Sequence, residues 1–137
     1  MPAQNYSIGG TDLNGFAYVM DCGKKIKKYN PQENTWQEVS TFPGNFPEGS
    51  VYYNRYNGNM IGFSHENSIF FGFCYDSDIE EDIWEFNLTT NSWKEIEPFP
   101  KDLNSGKIFY FYLKGKLYIG HGDSGTYDIY SLDTSKL

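Results

Sequence analysis

The sequence is short of the residues on which most catalytic and metal-binding chemistry draws. It holds two cysteines, Cys22 and Cys74, and two histidines, His65 and His121. Cysteines this far apart make neither a disulfide framework nor a zinc pattern, which needs closely spaced Cys or His pairs. Cation-bearing residues are scarce as well: 11 Lys and Arg against 18 Asp and Glu give a formal net charge of -7. A chain with that balance lacks the positive footprint that attracts phosphate backbones or anionic lipid, so neither nucleic acid nor membrane is expected as a partner. No run approaches the roughly 18 apolar residues that span a bilayer. The segment Met1 to Gly10 is too polar for a secretory signal, so the chain reads as soluble, with no compartment assigned. Neither a G-x-S-x-G nucleophile elbow nor a G-x-x-x-x-G-K-[ST] phosphate loop occurs. The sequence therefore proposes no catalytic residue, no metal site and no cofactor.

Helix periodicity is missing too: no segment keeps apolar residues at spacings of three and four, and 14 Gly and 6 Pro interrupt the chain. What it has in abundance is aromatic side chains, 12 Tyr and 11 Phe among a 19% aromatic fraction. These suit a pleated, half-buried surface and point to an all-β chain.

The aromatics fall in a repeat. Tyr29-Asn30-Pro31-Gln32-Glu33-Asn34-Thr35-Trp36 and Phe86-Asn87-Leu88-Thr89-Thr90-Asn91-Ser92-Trp93 share an aromatic, an Asn, a polar turn with a second Asn, and a Trp. Trp36 and Trp93 stand 57 positions apart, and Phe42-Pro43 and Phe99-Pro100 keep the same offset. A third copy opens at Asp128-Ile129-Tyr130-Ser131-Leu132-Asp133, which parallels Asp82-Ile83-Trp84-Glu85-Phe86-Asn87. Its Trp would fall beyond Leu137, so the third repeat is expected to lack its last strand. Before each copy lies a hairpin pattern: Ile8 to Leu13 and Phe16 to Met20 around Asn14-Gly15, Met60 to Ser64 and Ile69 to Phe73 around His65 to Ser68, and Ile108 to Leu113 and Leu117 to Gly120 around Lys114 to Lys116. The chain divides into units at about 6–45, 46–102 and 103–137, the complete one running from Gly58 to Pro100. Four short antiparallel strands repeated at about 50 residues are the signature of propeller blades.

In these motifs the chain resembles the kelch family. The marks are aromatic-Asn-x-x-x-Asn-x-Trp with structural repeat residues Tyr29, Asn30, Trp36, Phe86, Asn87 and Trp93, the following Phe-Pro, and Gly120-His121-Gly122 at the end of a second strand. The resemblance implies an all-β array of three kelch-type propeller blades, a half or partial propeller. It departs from the family where a kelch repeat ends its second strand with two glycines. Those places hold Asp21-Cys22, Phe73-Cys74 and His121-Gly122. Cys22 and Cys74 thus occupy equivalent places in neighbouring blades, too far apart for a disulfide, and are expected as free, mostly buried thiols.

In kelch propellers the loops joining the second strand to the third, and one blade to the next, share a face on which binding takes place. Carried over, that face receives Asp21, Phe73 and His121 from strand ends. A loop contributes Asp76, Asp78, Glu80 and Glu81, and the connection Asn45 to Asn57 contributes Tyr52, Tyr53 and Arg55. Tyr52, Tyr53 and Tyr56 around Arg55 read equally as a contact patch, since rings and guanidinium give binding energy at modest entropic cost, and as packing of a long loop. The acidic run Asp76 to Asp82 carries oxygens suited to calcium but lacks the Gly-centred spacing of an EF-hand, and reads as a solvated loop. His121 reads as a hydrogen-bonded strand residue before a functional one, and His65 falls at the opposite end of its blade. The cluster Lys24, Lys25, Lys27 and Lys28 reads as a solvated strand edge rather than an anion site.

Three blades do not close a ring, because propellers have roughly four to eight. The ring is completed either by a second copy, giving six blades about a two-fold axis, or by the remainder of a longer propeller. The segment Asn5 to Ile8 is a candidate to supply the missing strand of the third repeat. The function these features favour is a non-catalytic scaffold binding a protein or glycan. The alternative is a sugar-processing enzyme or enzyme part of the sialic acid mutarotase kind, with His121, Asp21 and Arg55 as its polar centre.

Overall fold

A computed structural model describes residues 7–21, 23–44, 60–75, 79–96, 107–123 and 126–136. Among these residues, eleven strands and one short 3-10 turn run in the order β1 (Ser7–Leu13), β2 (Phe16–Asp21), β3 (Lys25–Asn30), β4 (Thr35–Thr41), β5 (Ile61–His65), β6 (Ser68–Tyr75), β7 (Ile79–Asn87), β8 (Ser92–Ile96), β9 (Lys107–Leu113), β10 (Lys116–Asp123) and β11 (Thr126–Asp133), then Thr134–Lys136. They form three antiparallel meanders: sheet 1 of β1 to β4, sheet 2 of β5 to β8, and sheet 3 of β9 to β11. The expected all-β fold of stacked propeller blades is what the chain adopts, the third with three strands among the described residues.

The repeated motif explains the outer hairpin of each blade. Asn30 Oδ1 accepts the amides of Gln32 and Glu33, and Asn87 Oδ1 accepts those of Thr89 and Thr90. Each Asn thereby closes the turn with its own side chain, as short polar residues do. The second Asn of the motif, Asn34 or Asn91, sits at positive φ (54° and 52°), which Asn tolerates better than most residues. That geometry sets Tyr29 opposite Trp36 and Phe86 opposite Trp93, with ring centroids 4.8 Å and 4.9 Å apart. Cross-strand aromatic pairs of this kind stabilise both strands. In the third copy Asp133 replaces Asn and still accepts the Ser135 amide, at 3.1 Å.

Sheet 2 is buried on both faces. Ile69, Phe71 and Phe86 meet Tyr18, Met20 and Ile26 of sheet 1, together with Phe42 and Met60. Ile61, Phe63, Phe70, Ile83 and Ile96 meet Leu117 and Ile119 of sheet 3. Consecutive residues Ile69, Phe70 and Phe71 therefore serve alternate cores, and an apolar run replaces the usual polar alternation. Phe42 of the Phe-Pro motif is a plug between blades: its ring meets Trp84 and Trp93 edge-on, at 6.4 Å and 5.5 Å. Where β1 and β5 approach, side chains are excluded. A Cβ on Gly62 would stand 2.7 Å from the Gly10 carbonyl oxygen, and one on Gly9 would stand 2.9 Å from that of Met60.

Several expectations change. The four lysines do not form a solvated edge, because β3 is flanked by β2 and β4 and each ammonium has a partner. Lys27 pairs with Asp21, Lys25 with Glu38, Lys24 with the Gly44 carbonyl, and Lys28 lies 3.7 Å over the Phe16 ring. Ser7 and Ile8 begin β1, where Ser7 pairs with Asp21, and so belong to the first sheet instead of completing the third. Glu80 and Glu81 lie within β7, not in a loop. Phe73 and His121 are inside β6 and β10, because both strands run two residues further than the glycine pattern suggests.

Candidate binding face

The turns joining β2 to β3, β6 to β7 and β10 to β11 occupy equivalent places in the three sheets. Asp21 organises the turn between β2 and β3. Its Oδ1 accepts the amides of Gly23 and Lys25, both at 2.9 Å, and its Oδ2 takes the Lys27 ammonium at 2.7 Å. Burial pushes the Asp21 carboxyl up, but the Lys27 ammonium and the two amides outweigh it and hold the group below the ordinary carboxylate value. Asp21 is thus charged, buried, and committed to the turn. Lys24, at φ 63°, continues the same turn, its amide bonding to the Asp21 carbonyl at 3.0 Å. Sequence reasoning missed Lys27, whose signal was its place six residues after an acid on the antiparallel neighbour.

Of the expected site residues, Asp21 ends β2. Phe73 and His121 occupy the equivalent strand positions in sheets 2 and 3, His121 opposite Asp128 in the register. Phe73 falls at the irregularity between Gly72 and Cys74. Tyr52, Tyr53, Tyr56, Arg55, Asp76, Asp78 and Cys22 lie outside the described residues. Among the described residues no three His, Cys, Asp or Glu side chains are grouped to hold a metal, and no helix is long and apolar enough to cross a membrane.

His65 lies away from this face, at the β5–β6 turn. Its Nδ1 is 2.9 Å from the Tyr112 hydroxyl, which lies 3.2 Å from Thr134 Oγ1, and Thr134 donates to the Gly115 carbonyl at 2.8 Å. This line of bonds ties sheet 2 to sheet 3. The Gly62 amide, donating to the Tyr110 hydroxyl at 3.2 Å, ties the same two strands, β5 and β9, a few residues along.

No family model matches the sequence. A curated relative, Kelch-like protein 21 of Danio rerio, is 29% identical over 120 residues, which is 85% of this chain and 16% of that protein. A solved structure titled "Structure of YjhT" superposes with a TM-score of 0.66 over 89% of this chain and 35% of its own, at 18% identity. The chain is an array of propeller blades similar to those of kelch proteins. The computationally designed Ika4 protein also superposes on this blade array, with a TM-score of 0.51 over 96% of the chain and 69% of the design, at 13% identity. The array spans about a sixth of the length of its curated relative and about a third of the YjhT chain.

Proposed function

We propose that the chain is a non-catalytic scaffold that binds a protein or glycan on the loop face of a kelch propeller. The observation that supports this most directly is the Asp21 turn. Three donors fix a loop that would otherwise be free, and a loop fixed before binding loses little entropy when a partner docks. The likeness to a Kelch-like protein is in keeping with a binding role. In this reading the blades run at about 6–45, 46–102 and 103–137, and Tyr52, Tyr53 and Arg55 join Asp21, Phe73, His121, Asp76 and Asp78 around the face. The missing blades come from a second copy in a six-bladed ring, or from the rest of a longer propeller.

The sugar-processing alternative needs Asp21, Arg55 and His121 to meet in one polar pocket. Engagement of both Asp21 oxygens within the turn weighs against that centre. The test is an unbiased pull-down and a glycan array with the intact chain and with a Tyr52→Ala, Tyr53→Ala, Arg55→Ala variant. Loss of the captured partner with an unchanged circular dichroism spectrum is the expected result. Equal capture by both chains removes the patch from the reading.

A further inference from the structure

Each blade has two faces, and the repeat lets them be told apart. The forward face of sheet 1 carries Tyr18 and Ile26, and sheet 2 covers it. The forward face of sheet 2 carries Phe70 and Ile83 at the equivalent positions, and sheet 3 covers it. Register fixes the third set: Gly120 stands opposite both Phe109 and Ile129, and Tyr118 opposite Phe111. Ile129 therefore repeats Ile26 and Ile83, and Tyr118 repeats Tyr18 and Phe70. Ile26 is 0% exposed and Ile83 1%, but Ile129 is 61% exposed. Phe109, Phe111 and Leu113 beside it are exposed as well, with the Phe111 ring stacked on Tyr118 at 5.0 Å. An apolar surface this continuous marks an interaction site.

The rear faces show what fits it. Sheets 2 and 3 offer bulky rear faces, Ile69 and Phe71 in one, Leu117 and Ile119 in the other. At the matching places sheet 1 has Ala17 and Val19, with Gly10 on β1 beside them. The forward faces vary in the opposite sense. β1 presents Gly9 where β9 presents Phe109, the partners in register of Met20 and Gly120 respectively. The bulkiest forward strand, β9, is thus complementary in size to the smallest rear face, that of sheet 1. Its joining continues the same forward-on-rear stacking that the chain already uses twice.

We infer that the forward face of sheet 3 docks on the rear face of sheet 1 of a second copy of this chain, with Phe109, Phe111 and Ile129 packing over Gly10, Ala17 and Val19. Two such joints related by a two-fold axis close six blades and leave neither face exposed. The inference rests on the second-copy form of the ring described above, and it specifies which face meets which.

The test is the solution mass of the chain at tens of micromolar, by light scattering after gel filtration, with Ile129→Glu on one face and Ala17→Glu on the other. The expected mass is twice the 15.8 kDa of one chain. Each variant alone should bind its own kind far more weakly and run at lower mass. An equimolar mixture of the two should regain the dimer through its one intact joint. Circular dichroism confirms folding, and Val19→Lys repeats the test should Ala17→Glu unfold. A wild-type dimer that breaks with Ile129→Glu and survives both sheet 1 variants would mean that two sheet 3 faces meet each other, which overturns the inference. A monomeric wild type overturns it too, and leaves the face to further blades of a longer chain. Open-ended polymers would show that the joints do not close. None of these outcomes bears on partner capture by the loop face, which the alanine variant reads separately.

Discussion

A carboxylate buried as deeply as that of Asp21 must have its charge answered inside the protein, since an unpaired buried ion costs far more than a surface one. Lys27, 14% exposed, supplies the counter-charge, and two amides occupy the other oxygen. Asp21→Asn keeps an acceptor for the amides but strands the ammonium. Its expected cost is about 2 kcal/mol, measured as a shift of the urea midpoint. The sign with pH follows from the depressed carboxyl. Because the folded value lies below the unfolded one near 3.8, the stabilisation is whole above that pH and fades as the solution is acidified through the folded value. Wild-type stability should therefore fall more steeply than that of the Asn variant below about pH 4. Parallel acid profiles would mean that the pair contributes nothing net.

At the scale of strands and turns, the chain separates local chemistry from long-range closeness. The Asn-led turns were legible in the sequence because a side chain closing its own turn needs only neighbours: Asn30 and Asn87 act on residues two and three places on. Removing that acceptor with Asn87→Ala should cost about 1 kcal/mol, read from thermal unfolding, with Asn87→Asp nearly neutral because Asp133 does the same work. The glycines of β1 and β5 were not legible as a contact. Nothing local in Gly-Gly at 9 and 10, or in Ile-Gly-Phe at 61 to 63, says that the backbones at Gly10 and Gly62, 52 residues apart, will meet without side chains. Gly62→Ala puts a methyl group 2.7 Å from a backbone oxygen that cannot turn aside. It should destabilise by about 2 kcal/mol, whereas Gly15→Ala, with nothing within 4 Å of its Cβ, pays only for its φ of 80°. Comparable losses at both positions would show that backbone strain and not the β1–β5 approach governs. The same divide explains the candidate face: strand-end positions could be aligned from the repeat, but the Asp21–Lys27 pair depends on the register of β2 against β3.

At the scale of the molecule, among the described residues the three sheets form a line in which only sheet 2 packs against a sheet on both faces, so stability should be a sum of blade terms and two interfaces. The end sheets can open while sheet 2 and one neighbour stay closed, but sheet 2 cannot open without exposing both cores. Native-state hydrogen exchange on the Ile129→Glu chain should therefore find the slowest amides in β6 and faster ones in β4 and β11. Phe71→Ala, which empties the core shared with sheet 1, should cost about 4 kcal/mol and speed exchange in sheets 1 and 2 together. In the Ile129→Glu chain, where no second copy docks, Trp36→Ala, on the opposite face of sheet 1 and 39% exposed, should act on β3 and β4 alone. In the wild-type chain, docking of sheet 3 on sheet 1 would cover both ends of the line and flatten the gradient as concentration rises, because binding to the closed form adds to the stability of every blade it touches. A gradient equally steep in both chains at every concentration would show that the end sheets meet nothing. Uniform protection in the Ile129→Glu chain would show that the blades fold as one unit instead of a line.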